Sequence, residues 1–137
     1  MINLSHKVFT SKYRVYFEDT DSGGVVYHAN YLRFMERARS DWLANVGCLP
    51  QQPKDRWGII FAVRSVNLEF FKPARLGDLL RVTVVPDSVR GASISVSQTI
   101  TNEADVNLVQ AKLRIACIDY SNFKIQRMPE ELRRMLS

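Results

Sequence analysis

The sequence predicts an α+β domain in which a curved antiparallel sheet of about five strands wraps around one long central helix. Three observations carry this expectation. One long stretch, Asn30 to Val46, repeats apolar residues at helical spacing. Four strand-like runs follow, with no second long helix between them. Their connections are shorter than the dozen or so residues a parallel crossover needs, so they pair largely antiparallel.

From Lys12 to Glu18 the chain alternates, with Tyr13, Val15 and Phe17 on one face and Arg14, Tyr16 and Glu18 on the other. That pattern predicts a half-buried strand. Asp19 to Gly24 (DTDSGG) is a turn-forming run that ends it. In the helix, Tyr31, Met35, Ala38, Trp42 and Val46 form one apolar stripe, widened by Phe34 and Leu43. Arg33, Glu36, Arg37, Ser40 and Asp41 occupy the opposite face, where Arg37 and Asp41 can pair weakly. Gly47 is a natural stop.

Leu49 to Gly58, with Pro50 and Pro53, reads as a loop. The four later strands are expected at Ile59 to Phe71, Leu79 to Pro86, Ala92 to Thr101 and Asn107 to Asp119. Pro129 to Leu136 reads as a short helix, with acidic Glu130 and Glu131 in its first turn and Arg133 and Arg134 in its last. One helix covers only part of such a sheet, so a homodimer that extends or seals it is expected.

The chain of 137 residues suits a single domain over 1–137 and a core that needs no disulfide or metal staple. No apolar run reaches the ~20 residues of a membrane-spanning helix, and Met1 to Lys12 carries no signal-peptide core, so a cytoplasmic location without membrane insertion is expected. Cys48 and Cys117 are far apart and form no CxxC, which predicts two buried free thiols. The net charge of +5 suits an anionic partner, but the basic residues are scattered, so no nucleic-acid partner is expected.

The chemistry concentrates between Tyr16 and Arg39. A helix N-terminus offers unpaired N–H groups and partial positive charge, which can polarise a carbonyl. The N–H groups near His28 and Ala29 stand where such a site would form. Gly23 and Gly24 permit tight turns and close substrate approach. Asp21, seven residues before His28, is close enough in sequence to turn back toward it. A carboxylate there can act as general base or nucleophile. On spacing alone, Asp19 and Asp21 read equally well as turn caps, and His28 alone as a helix-start histidine. Tyr27, Tyr31, Trp57, Phe61 and Phe70 are candidate walls of an apolar pocket.

Other chemistries fit worse. DTDSGG begins like a calcium loop, but its fifth position is Gly23 and its twelfth Asn30. There is no G-x-S-x-G elbow, HExxH, Walker loop or GxGxxG, and no metal site is expected.

The stretch YFEDTDSGGVVYHANYLRFMERAR resembles the signature of the 4-hydroxybenzoyl-CoA thioesterase-like hot-dog family. It is most similar to the Tol-Pal-associated branch, the YbgC-type acyl-CoA thioesterases. The D-x-D-x-x-G-x-V-x-H core is specific, and NLEFFKPARLGD at Asn67 to Asp78 is also family-like. The resemblance implies the hot-dog fold in a homodimer or, as a dimer of dimers, a homotetramer, and hydrolysis of short-chain or aromatic acyl-CoA, with no cofactor because coenzyme A is part of the substrate. It implies that Asp21 is catalytic, that the His28 N–H polarises the thioester carbonyl with the His28 side chain assisting, and that Asp19 is structural. Gly24, Tyr27, Tyr31 and Phe61 would contact substrate. The turn holding Arg90 and Ser93 would meet the CoA phosphates, although it carries one basic residue where relatives often carry several. Acyl carrier protein is an alternative carrier. An acyl-thioester hydratase or dehydratase and a non-catalytic acyl-thioester-binding protein are the competing readings.

Overall fold

The computed structural model describes residues 8–137. The reading of Met1 to Lys12 as free of a signal core therefore falls partly outside the described residues. Strands β1 (Phe9–Arg14), β2 (Ile59–Phe70), β3 (Leu79–Arg90), β4 (Ser93–Thr101) and β5 (Asn107–Asp119) form one sheet in the order β1-β3-β4-β5-β2. Every neighbouring pair is antiparallel. Helices α1 (Asn30–Asn45), α2 (Gln52–Trp57) and α3 (Glu130–Leu136) complete the chain. The expected α+β architecture is therefore present: a five-stranded curved antiparallel sheet around a long helix.

The core forms because two periodicities meet. Helical spacing puts Tyr31, Phe34, Met35, Ala38 and Trp42 on the buried side of α1. Strand alternation sends Ile94, Val96, Gln98 and Ile100 of β4 inward, with Val82 and Val84 of β3 and Leu113 and Ile115 of β5. Each large apolar side chain buried there contributes roughly 1.5–3 kcal/mol before entropy is charged against it. Phe34 is fully buried, so Phe34→Ala would cost about 3–5 kcal/mol. Cys48 and Cys117 are buried free thiols, as expected. No described helix is long and apolar enough to cross a membrane.

Several boundaries differ from expectation. The first strand is Phe9–Arg14 rather than Lys12 to Glu18. Asp19 accepts the Tyr16 backbone N–H at 2.8 Å, which folds Phe17–Asp19 into a 3₁₀ turn. Phe17 is consequently 81% exposed instead of facing the core with Tyr13 and Val15. The expected loop at Leu49 to Gly58 contains α2, which tolerates Pro53 in its first turn and ends on Gly58 at φ 66°. β3 runs past Pro86 to Arg90, with a register irregularity between Pro86 and Ser88.

β2 and β3 are consecutive but do not pair. Among the described residues β2 joins only β5, so it is a sheet edge twelve residues long. Val66 and Phe70 pair with the buried Leu113 and Val109 of β5, yet stay 39% and 51% exposed. A long apolar edge of this kind presents unpaired backbone groups to another strand.

Candidate active site

The loop between the 3₁₀ turn and α1 is organised by Asp19. Its carboxylate is buried and accepts the Asn30 side-chain amide at 2.7 Å with one oxygen and the Tyr16 N–H with the other. Its backbone carbonyl accepts the Tyr27 N–H. Asp19 thus ties both ends of the loop to the start of α1, with both carboxylate oxygens engaged in holding it. This structural role matches the expectation for it.

Asp21 is different. Its residue is exposed, and its Oδ1 accepts the Gly23 N–H at 2.8 Å in an Asx-type turn. Its backbone N–H donates to the Val25 carbonyl and its carbonyl accepts the Gly24 N–H, closing the turn. Gly24 adopts φ 77°, a left-handed conformation that a side chain would strain. The loop is held against the 74–78 segment by Val26 N–H to Ala74 carbonyl at 2.9 Å and Leu76 N–H to Gly24 carbonyl at 3.1 Å.

The chain then enters α1 through Tyr27, His28 and Ala29. Ala29, the residue before the helix, gives it no side-chain cap. Among the described residues, the backbone N–H groups of His28 and Ala29 donate to no backbone carbonyl. The exposed His28 ring lies 4.4 Å from that of half-exposed Tyr27, tilted by 43°.

Tyr31, one turn on, is buried and accepts the Ala74 N–H at 3.0 Å. Burial raises its hydroxyl pKa most; the Ala74 N–H opposes this, and the Asp21 and Asp78 charges add to it. Asp21 thus lies within electrostatic reach of the first turn of α1. Phe70 packs edge-on against Tyr31 at 5.6 Å. Asp21, Gly24, Tyr27, His28 and Tyr31 therefore gather at one end of the molecule, with Tyr31 as a supporting wall.

Phe61, Arg90 and Ser93 do not join them. Arg90 ends β3, whose other end, Leu79, pairs with Arg14 near the Asp21 loop. Twelve residues of strand span roughly 35 Å at ~3.3 Å per residue. Ser93 pairs with Arg90 and Ala116, and Phe61 with Cys117, so all three residues sit at the far end of the sheet.

That far end holds a cavity of about 500 Å³ between the second half of α1, α2 and the start of β2. Trp42, Leu43, Phe61, Ile94 and Ile115 line it, together with Arg39. Arg39 donates to the Gln98 side-chain oxygen at 2.9 Å, and the buried Gln98 amide donates to the Met35 carbonyl at 3.1 Å. Burial lowers the Arg39 pKa, and the Glu36 charge partly offsets this. Sequence reasoning missed Arg39, Gln98 and Asn30. For Arg39 a signal existed: it stands four residues after Met35 and three before Trp42, on the edge of the apolar stripe.

The sequence profile of the thioesterase-like superfamily matches residues 15–136. Acyl-CoA thioester hydrolase YbgC of Escherichia coli O6:H1 is 38% identical over 129 residues, covering 94% of this chain and 96% of that protein. A 1,4-dihydroxy-2-naphthoyl-CoA hydrolase of Thermosynechococcus vestitus is 33% identical, covering 86% of this chain and 81% of its own. Among solved structures, a probable thioesterase from Bartonella henselae superposes with a TM-score of 0.77 at 35% identity, covering 89% of this chain and 98% of that one.

Proposed function

The chain belongs to the thioesterase-like superfamily and is a hot-dog-fold thioester hydrolase, and from that premise we propose that it cleaves short-chain or aromatic acyl-CoA at the end of the molecule that carries Asp21. The observation that carries this reading is the exposed Asp21 carboxylate beside a helix start whose His28 and Ala29 N–H groups are uncommitted. Those donors would hold the thioester oxygen as negative charge develops on it, a contribution of about 3–4 kcal/mol for one well-aimed donor.

Asp21 then acts in one of two ways. As a base it takes a proton from water while the water oxygen bonds to the acyl carbon. As a nucleophile it bonds to that carbon itself, and water later cleaves the anhydride. In both, the C–S bond breaks and the departing thiolate of coenzyme A takes a proton, for which the exposed His28 imidazole at the start of α1 is the donor in this scheme. No cofactor enters the scheme, and acyl carrier protein is a second carrier to compare with CoA.

The separation of Asp21 from Phe61, Arg90 and Ser93 favours a homodimer. Antiparallel pairing of two β2 edges would bring the Phe61 end of one copy beside the Phe70 end of the other. Arg90 and Ser93 of one copy would then approach CoA phosphates bound at the Asp21 site of its partner.

The test is a thiol-release assay across acyl-CoA esters. Asp21→Ala should lower kcat by at least about 10²-fold with an unchanged melting temperature. A folded Asp21→Ala variant that releases thiol at the wild-type rate would overturn the reading. In a single turnover in ¹⁸O-water, label in the Asp21 carboxylate identifies the nucleophilic route with water attacking the Asp21 carbonyl carbon of the anhydride, because the general-base route places label only in the released acid.

A further inference from the structure

We infer that the cavity beside Arg39 receives the acyl group and that Arg39 selects acyl groups ending in a carboxylate, an inference that rests on the hydrolase reading above. The walls are apolar and aromatic, formed by Trp42, Leu43, Phe61, Ile94 and Ile115. Such walls suit a hydrocarbon chain, whose methylenes gain by leaving water. Arg39 breaks that pattern. Its guanidinium is partly withdrawn from water, and its side-chain partner is the neutral Gln98.

A cation held this way costs stability, because a neutral acceptor returns only part of the lost hydration. Among the described residues Arg39 forms no ion pair. Residues 1–7 contain no Asp or Glu. Glu36, one turn earlier on α1, also lines the cavity, but it is exposed and acts on Arg39 from beyond ion-pair distance. Lys54 lines the opposite wall, where its ammonium lies 4.3 Å from the centre of the Tyr120 ring. The charged lining therefore carries one excess positive charge.

Gln98 fixes the geometry. Its amide is anchored on the Met35 carbonyl, so its oxygen is held toward Arg39 and orients one arm of the guanidinium. The rest of the planar fork matches a carboxylate, which takes two parallel N–H donors and supplies the missing charge. Arg39 lies three helical turns from His28, about 16 Å along α1. A long dicarboxylic chain would span this within one protomer. A shorter one would reach the cavity of a second copy paired through β2.

The experiment measures kcat/KM for matched pairs of CoA esters: hexanoyl against adipyl, octanoyl against suberyl, and dodecanoyl against dodecanedioyl. The wild-type protein should favour the carboxyl-ended ester about tenfold or more at one length, the span of one charge-assisted pair. In Arg39→Met that ratio should collapse toward unity, and in Arg39→Lys it should fall part of the way. Equal or lower kcat/KM for every carboxyl-ended ester, or a preference that survives in folded Arg39→Met, overturns the inference. If no ester is hydrolysed, the hydrolase reading fails separately. Calorimetry then decides the cavity: suberate binding that Arg39→Met abolishes supports it, and no suberate binding sinks it.

Discussion

The buried Asp19 carboxylate accepts the Asn30 amide at 2.7 Å, while Asp21, two residues on, stays exposed. Two aspartates of one turn are thus divided between architecture and chemistry. Asp19→Ala removes the acceptor for the buried Asn30 amide and the Tyr16 N–H. It is expected to lower unfolding stability by about 2–4 kcal/mol, seen in urea melts, whereas Asp21→Ala should leave the urea midpoint nearly unchanged.

The Tyr13 hydroxyl on β1 donates to the Asp41 carboxylate on α1. Burial, followed by this bond, pushes its pKa up to about 12, while Ser11 and Arg37 pull the other way. The folded state therefore holds a proton that an unfolded tyrosine releases near pH 10. The stabilisation is complete below about pH 10 and is lost as pH rises toward 12. Urea unfolding across this window should show a falling free energy in wild type and a flatter profile in Tyr13→Phe.

Burial pushes the Cys117 thiol up to about 11 and raises that of Cys48 against the opposing charge of Arg56. Neither should be appreciably ionised or accessible near pH 8. A colorimetric disulfide reagent should titrate almost no thiol in the native protein and both in denaturant. Rapid native reaction of either cysteine would contradict the packing described for it.

The edge strand β2 makes the dimer testable apart from catalysis. Val66→Lys places a charge on the uncovered part of its inner face, a change that discourages edge pairing. If the proposed β2-to-β2 dimer forms, sedimentation should find the wild type dimeric and Val66→Lys shifted toward monomer, with thiol release falling in step. A fully active monomer would remove the composite arrangement.

How much was legible varied with the physics behind each element. The α1 stripe from Tyr31 to Trp42 was readable because helical spacing reports directly on burial. β5 was readable from end to end for the same reason at a period of two. The end of β1 lies at Arg14 rather than Glu18, although the alternation continues through Phe17. The turn there is imposed by a single bond from Asp19 to the Tyr16 N–H, which periodicity does not register. Strand adjacency was also hidden, since the pattern marks β2 and β3 as strands without saying that three ladders separate them. Within the site, Asp21 and His28 were placed by their motif. Arg39 is hidden from periodicity, which reads a charge at the edge of the stripe between Met35 and Trp42 as a solvated position.

The strand order also constrains when the site can exist. β3, β4 and β5 form a meander closed by short turns, but β1 must find β3 across most of the chain, with Phe9 opposite Val84. Such distant pairings carry a large loop-closure cost and slow folding to the millisecond-to-second range. The Asp21 loop is fastened at both ends to the products of that late search, through Val15 to Asp78 and Val26 to Ala74. Hydrolytic competence should therefore return with the slowest refolding phase, so that a working Asp21 turn reports that the last strand has docked.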